Sequence, residues 1–116
     1  MSEAKADLPL LSAVIHALGA EIREINQANG WAVIQPEEWA DKYKIPGVIA
    51  LIHSEASEAL EGFRADDKAN FAEELADVII RCLDLSHGLG IDMGAEITRK
   101  LAKNRTRGFK HGGKKI

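Results

Sequence analysis

Two pairs of acids set at helical spacing constrain this chain more than any other feature. Glu55 and Glu58 are three residues apart, Glu74 and Asp77 repeat that step, and fifteen residues separate the pairs. A three-residue step keeps both side chains of a pair on one helical face. Both pairs are embedded in apolar sequence. Val48, Ile52, Glu55, Ala59 and Phe63 form one helical row, so Glu55 lies against the apolar stripe. Leu75, Ala76 and Val78 surround Glu74 and Asp77. A buried carboxylate needs a cation or hydrogen-bond donors to offset its desolvation. If the two helices pack antiparallel, the four acids meet. Four negative charges held together repel unless hard cations lie between them. Magnesium takes oxygen ligands in octahedral geometry and keeps several waters, so it suits such a cage. The plainer alternative is an ordinary ion-pair row, because Arg81 lies four residues after Asp77 and Asp84 three after Arg81.

An apolar period near 3.6 residues recurs along the chain. Leu11, Val14, Ile15, Leu18, Ile22 and Ile25 predict a first helix from about Asp7 or Leu8, closed by Asn29 and Gly30. Pro36 fits the first turn of a short helix to about Lys44, with Glu37 and Glu38 at its N-terminal end. Pro46 opens a second long helix to about Arg64, and Ala65, Asp66 and Asp67 break it. The third runs from about Lys68 to Ser86 and is apolar on most sides, which predicts burial on most sides. Gly88 and Gly90 end it, and Asp92 can cap a fourth helix through about Thr106. No stretch alternates as a strand. The expected fold is all-α, of four-helix-bundle type, in one domain over residues 1–116 and completed by dimerisation through the broad third helix. The glycine- and lysine-rich tail from Gly108 to Ile116 is expected to be mobile.

The net charge of −3 is unevenly spread. Residues 53–77 hold eight acids against two bases, whereas residues 97–116 hold eight bases and no acid. That split suits metals on one side of a polyphosphate and lysines or arginines on the other. It equally suits a solvated acidic helix and a basic tail. The acidic balance argues against a nucleic-acid binder, whose affinity is carried by cations. Cys82 is the single cysteine, so an internal disulfide or a cysteine-based zinc site within one chain is ruled out, and a buried core thiol is expected. Glu3, Lys5 and Asp7 give the N-terminus no signal-peptide pattern, and no apolar run approaches the roughly 20 residues that span a bilayer. A soluble cytoplasmic protein without a membrane partner is the default expectation. His16 is expected in the core or an interface. His53 has no ligand spacing with Glu55, and Asp84 with His87 approaches the di-iron bundle spacing only once.

The stretch Leu51-Ile52-His53-Ser54-Glu55-Ala56-Ser57-Glu58-Ala59-Leu60-Glu61, followed by Glu73-Glu74-Leu75-Ala76-Asp77-Val78, resembles the MazG-like all-α nucleoside triphosphate pyrophosphohydrolases. Their hallmark is Glu-x-x-Glu, a variable gap, then Glu-x-x-Asp. Lys100, Asn104 and Arg107 resemble that family's lysine, asparagine and arginine segment. The resemblance covers residues 46–113, and more weakly the first helix. It implies hydrolysis of nucleoside triphosphates to a monophosphate and pyrophosphate. By matching position, Glu55, Glu58, Glu74 and Asp77 would be the catalytic set and hold magnesium, with manganese able to substitute. The metals would neutralise the triphosphate and acidify an attacking water, one glutamate helping to take its proton. Lys100, Asn104 and Arg107, with Lys103 assisting, would contact phosphate or ribose, and Lys110, His111 and Lys114 would close over the phosphates. A tryptophan near a helix junction is more often a core residue, but Trp31, and less so Trp39, could instead stack on the base, with Asn26 and Asn29 at its edge. Homodimers or homotetramers with a shared site are implied. The same resemblance fits a phosphoribosyl-ATP pyrophosphohydrolase. A non-catalytic helical module that binds nucleotide or a partner protein is the reading from a different class.

Overall fold

The computed structural model of the chain describes residues 8–107. Helix α1 spans Leu8–Ala28, a short 3-10 helix spans Pro36–Ala40, and α2 (Lys44–Arg64), α3 (Lys68–Gly88) and α4 (Met93–Thr106) follow. The described residues hold no strand, as expected for an all-α chain. The expected mobile tail from Gly108 to Ile116 lies outside the described residues.

Local chemistry sets the helix ends. Helices α1, α2 and α3 stop in the same way, with one left-handed residue: Gly30 at φ 81°, Asp66 at φ 56° and Gly90 at φ 74°. In each case the next N–H reaches back five residues: Trp31 to Asn26 at 2.9 Å, Asp67 to Gly62 at 2.8 Å, and Ile91 to Ser86 at 2.9 Å. This closure satisfies carbonyls that a helix end otherwise leaves open. Asp67 then caps α3, its side chain accepting from the Asn70 N–H at 3.0 Å. Asp92 caps α4 as expected, accepting from the Ala95 N–H at 3.0 Å.

Two boundaries differ from expectation. The short helix ends at Ala40, and Asp41 accepts from the N–H groups of Tyr43 and Lys44 at 2.8 Å each, so the chain turns and restarts at Lys44. Pro46 thus sits inside the first turn of α2 instead of opening it. That is allowed because N–H groups of a first turn have no helical partner to lose. Helix α3 also runs on to Gly88, two residues past Ser86.

The three-residue turn at Ala65–Asp67 folds α2 back on α3 as an antiparallel hairpin. Helix α1 lies against α3, and α4 packs on α1. Small residues let these backbones approach. A Cβ at Gly62 would stand 3.0 Å from the Phe71 nitrogen, and one at Gly94 would stand 2.5 Å from the Ser12 Cα. The end of α3 packs on the α1–α2 connection, where Gly88 faces Ile34 and Arg23 donates to the Ile34 carbonyl at 2.8 Å.

Ile22, Ile34, Ala59 and Leu83 form the buried apolar core. Three expectations about burial are corrected. Helix α3 is not buried on most sides, since Leu75, Ile79 and Ile80 are 44%, 58% and 41% exposed. Cys82 is only half-buried. Trp31 and Trp39 are 69% and 73% exposed, so neither is a core residue. The physical reason is the open arrangement of the helices. The radius of gyration is 16.7 Å, against about 13 Å for a compact domain of about 100 residues. Each helix therefore keeps an apolar side that its neighbours in the same chain do not cover.

The close approaches generate a paired prediction. Gly94→Ala is expected to part α1 from α4 and lower stability by about 1–3 kcal/mol. Gly47→Ala, where an added Cβ meets nothing within 4 Å, is expected to raise it by about 0.5–1 kcal/mol. Urea unfolding followed by circular dichroism measures both.

Candidate metal centre

The α2–α3 hairpin brings the two acid pairs together. Measured from Asp66 in the turn, Glu58 and Glu55 lie about two and three turns back along α2, and Glu74 and Asp77 lie at matching heights on α3. Glu55, Glu58 and Glu74 each offer one carboxylate oxygen within 4.8 Å of the others. Glu55 and Glu74 are half-buried and Glu58 is exposed. Asp77, also half-buried, lies outside that group of three and is linked to it only through Glu74, whose proton affinity it raises.

Crowding these acids raises the proton affinity of one of them. Glu74 is pushed up to about 7 from 4.5, first by desolvation between the helices. The Asp77 hydrogen bond, the charge and hydrogen bond of Glu58, and the charge of Glu55 add to it. Like charges at one point cannot all ionise cheaply without a compensating cation. A donor set made only of carboxylate oxygens selects a hard divalent ion over a soft one. The residues present therefore fit a divalent cation, and its binding would displace the Glu74 proton.

Arg81 is the cation that the hairpin itself supplies. Its Nε donates to Glu55 Oε2 at 3.0 Å, from α3 across to α2. The ion-pair row along α3 does not form in that way. Asp84 instead accepts from Asn26 Nδ2 at 3.1 Å, tying α1 to α3, while its Oδ1 is buried without a partner. Asn26 is thus engaged by Asp84. Glu61 pairs with Arg64 at 3.0 Å on the surface. His16 is exposed, with its ring centroid 5.0 Å from that of His87. His87 is held below its ordinary value first by burial, then by the charges of His16 and Arg23, with Asp84 opposing.

The remaining sequence-predicted residues are placed elsewhere. Lys100, Lys103, Asn104 and Arg107 lie on α4 and its C-terminal end, all exposed, and α4 packs chiefly against α1. They are carried by a different helix pair from the acids. Trp31 lies on the exposed connection after α1. Arg81 as a partner of Glu55 went unread in the sequence. The four-residue step from Asp77 puts it on the acid-bearing face but points to Asp77, not to Glu55.

The raised Glu74 group generates a prediction. Its folded value lies above its unfolded one, so the stability it contributes is complete below pH 4.5 and is lost as pH rises through about 7. Melting temperature in chelator is expected to fall across that window, and Glu74→Gln to flatten the fall. A divalent cation is expected to restore stability above pH 7, with proton release on binding near pH 6. Thermal melts with and without chelator, across pH, measure this.

A dATP/dGTP diphosphohydrolase of cyanophage S-2L is 41% identical over 63 residues, which are 54% of this chain and 56% of the phage protein. The chain thus spans about half the length of that curated relative. No solved structure matches the chain. The profile of the MazG-like family matches residues 50–115, a span that holds both acid pairs, Arg81 and the basic residues of α4. With more than half of its length matched, the chain belongs to the MazG-like family.

Proposed function

We propose that the chain hydrolyses nucleoside or deoxynucleoside triphosphates to a monophosphate and pyrophosphate, using magnesium held by Glu55, Glu58, Glu74 and Asp77. One observation carries this reading: carboxylate oxygens of Glu55, Glu58 and Glu74 converge within 4.8 Å across two helices. When bound, the cation supplies charge neutralisation for the triphosphate and acidifies a water. The chain's own residues set up that chemistry. Asp67 and Gly62 fix the turn and the close helix approach that align the two pairs. Arg81 holds one oxygen of Glu55 and so fixes the rotamer of that side chain. Glu58, the exposed member, faces the solvent side from which substrate arrives.

The phage relative is named for dATP and dGTP, which makes purine deoxynucleoside triphosphates the first substrates to test. Its name also favours free triphosphates over phosphoribosyl-ATP. Lys100, Lys103, Asn104 and Arg107 are the proposed phosphate and ribose contacts, and Trp31 the proposed base contact. Exposed Leu60, Phe63, Leu75 and Ile79 on the hairpin, and Leu10 and Val14 on α1, support a homodimer or homotetramer. No helix of the described residues is long and apolar enough to cross a membrane. Nucleotide-pool housekeeping in the cytoplasm is the role we infer, within a single domain over residues 1–116.

Chromatographic product analysis tests the reaction. Purified chain would be incubated with dATP, dGTP, the other standard triphosphates and phosphoribosyl-ATP, with magnesium or with chelator. Monophosphate and pyrophosphate are expected in equal amounts, and only with magnesium. Glu58→Gln and Asp77→Asn are each expected to lower turnover at least about 100-fold while helical circular dichroism persists. Full activity in both variants would remove these acids from the site. Turnover unchanged in chelator would remove the metal.

A further inference from the structure

Arg81 has more hydrogen-bonding capacity than Glu55 uses. A guanidinium carries donors on Nε and on both Nη atoms. The Nε donor is on Glu55, and among the described residues no acceptor is bonded to either Nη. The two ends of the pair also differ in access. The Glu55 side chain is 14% exposed, while that of Arg81 is 38% exposed. One edge of the guanidinium is therefore fixed at the acid cluster, on a side chain that stays partly open to solvent.

This orientation is not the one that local spacing favours. Asp77 and Asp84 stand four and three residues from Arg81 on the same helix, at distances where arginine commonly pairs. Asp84 is bonded by Asn26 from α1 instead, and Asp77 by Glu74. Arg81 reaches across to α2. The basic residues of α4 are meanwhile exposed on a helix that packs chiefly against α1. A planar fork matches two phosphate oxygens at once, which an ammonium does not.

We propose that Arg81 binds a phosphate of the substrate with its two Nη groups, keeping its Nε on Glu55. It is then a substrate-binding residue and a link between substrate and metal centre, because one guanidinium touches both phosphate and a metal-holding carboxylate. The proposal rests on the reading of the site as one for nucleoside triphosphates, and it adds a contact which the acid motif and the basic α4 segment do not contain.

Calorimetry on the full chain tests it, with three probes: magnesium alone, inorganic tripolyphosphate with magnesium, and a non-hydrolysable α,β-imido dATP with magnesium. Arg81→Gln is expected to weaken both polyphosphate probes roughly 10- to 100-fold beyond whatever change it makes in the affinity for magnesium alone. Arg81→Lys keeps the charge beside Glu55 without the fork, and is expected to lose at least about 10-fold on both polyphosphates. This second variant decides the matter if Arg81→Gln does not fold. Unchanged polyphosphate affinity in the lysine variant would overturn the proposal. So would a loss matched by an equal loss of affinity for magnesium alone, because Arg81 would then only position Glu55. Loss for the imido nucleotide with none for tripolyphosphate would move the contact from phosphate to nucleoside, and overturn it too. If the wild-type chain binds neither polyphosphate probe in magnesium, the triphosphate reading itself fails, and this proposal with it.

Discussion

Like charge held at close range is the constraint around which this chain is arranged. Carboxylates on α2 and α3 are brought within 4.8 Å, a placement that folding alone does not favour. The hairpin holds them because its other contacts are strong and local. Gly62 removes the Cβ that would keep the helices apart. Asp66 takes a left-handed conformation so that the turn closes in three residues, and Asp67 caps the helix that follows. Two devices then relieve the repulsion: a guanidinium on Glu55 and a proton on Glu74. The proton is replaceable by a divalent cation, so part of the strain is stored where a ligand can release it.

The outer helices serve a different purpose. Helix α1 ties to the hairpin through Asn26 and Asp84, and Arg23 anchors the connection through the Ile34 carbonyl. These bonds set the distance between the metal centre and the surfaces that α1 and α4 carry. Ile22 of α1 and Leu83 of α3 are buried, yet other apolar residues of α1 and α3, such as Val14 and Ile79, stay open. A scaffold of this kind has one firmly fixed part, the hairpin, and another part whose packing one chain does not complete.

Much of this was legible in the residues. The three-residue steps of Glu55 with Glu58 and Glu74 with Asp77 implied the convergence, because helical geometry leaves little freedom once the turn is short. Gly30, Gly90 and Asp92 marked helix ends through their own backbone preferences. Local rules failed where a residue's environment lies outside its own helix. Arg81 has two acids at ideal steps on α3, yet its partner comes from α2, and spacing along one helix carries no information about a neighbour. Pro46 fitted a helix start, but Asp41 turned the chain two residues earlier by a side-chain bond that the proline pattern does not report. Leu75, Ile79 and the two tryptophans read as core because apolar residues usually are. Their exposure follows from how four helices are spread, which periodicity does not encode.

The short Ala65–Asp67 turn also has a kinetic meaning. All four acids lie between residues 55 and 77, so the centre assembles by closing one small loop. The Asn26–Asp84 bond joins residues 58 apart and needs a far longer closure. Loop entropy grows with length, and local pairings tend to form early. The segment that meets electrostatic resistance is thus the one with the least entropic resistance. Docking of α1 can lag behind it, and can come undone again, without taking the acid cluster apart.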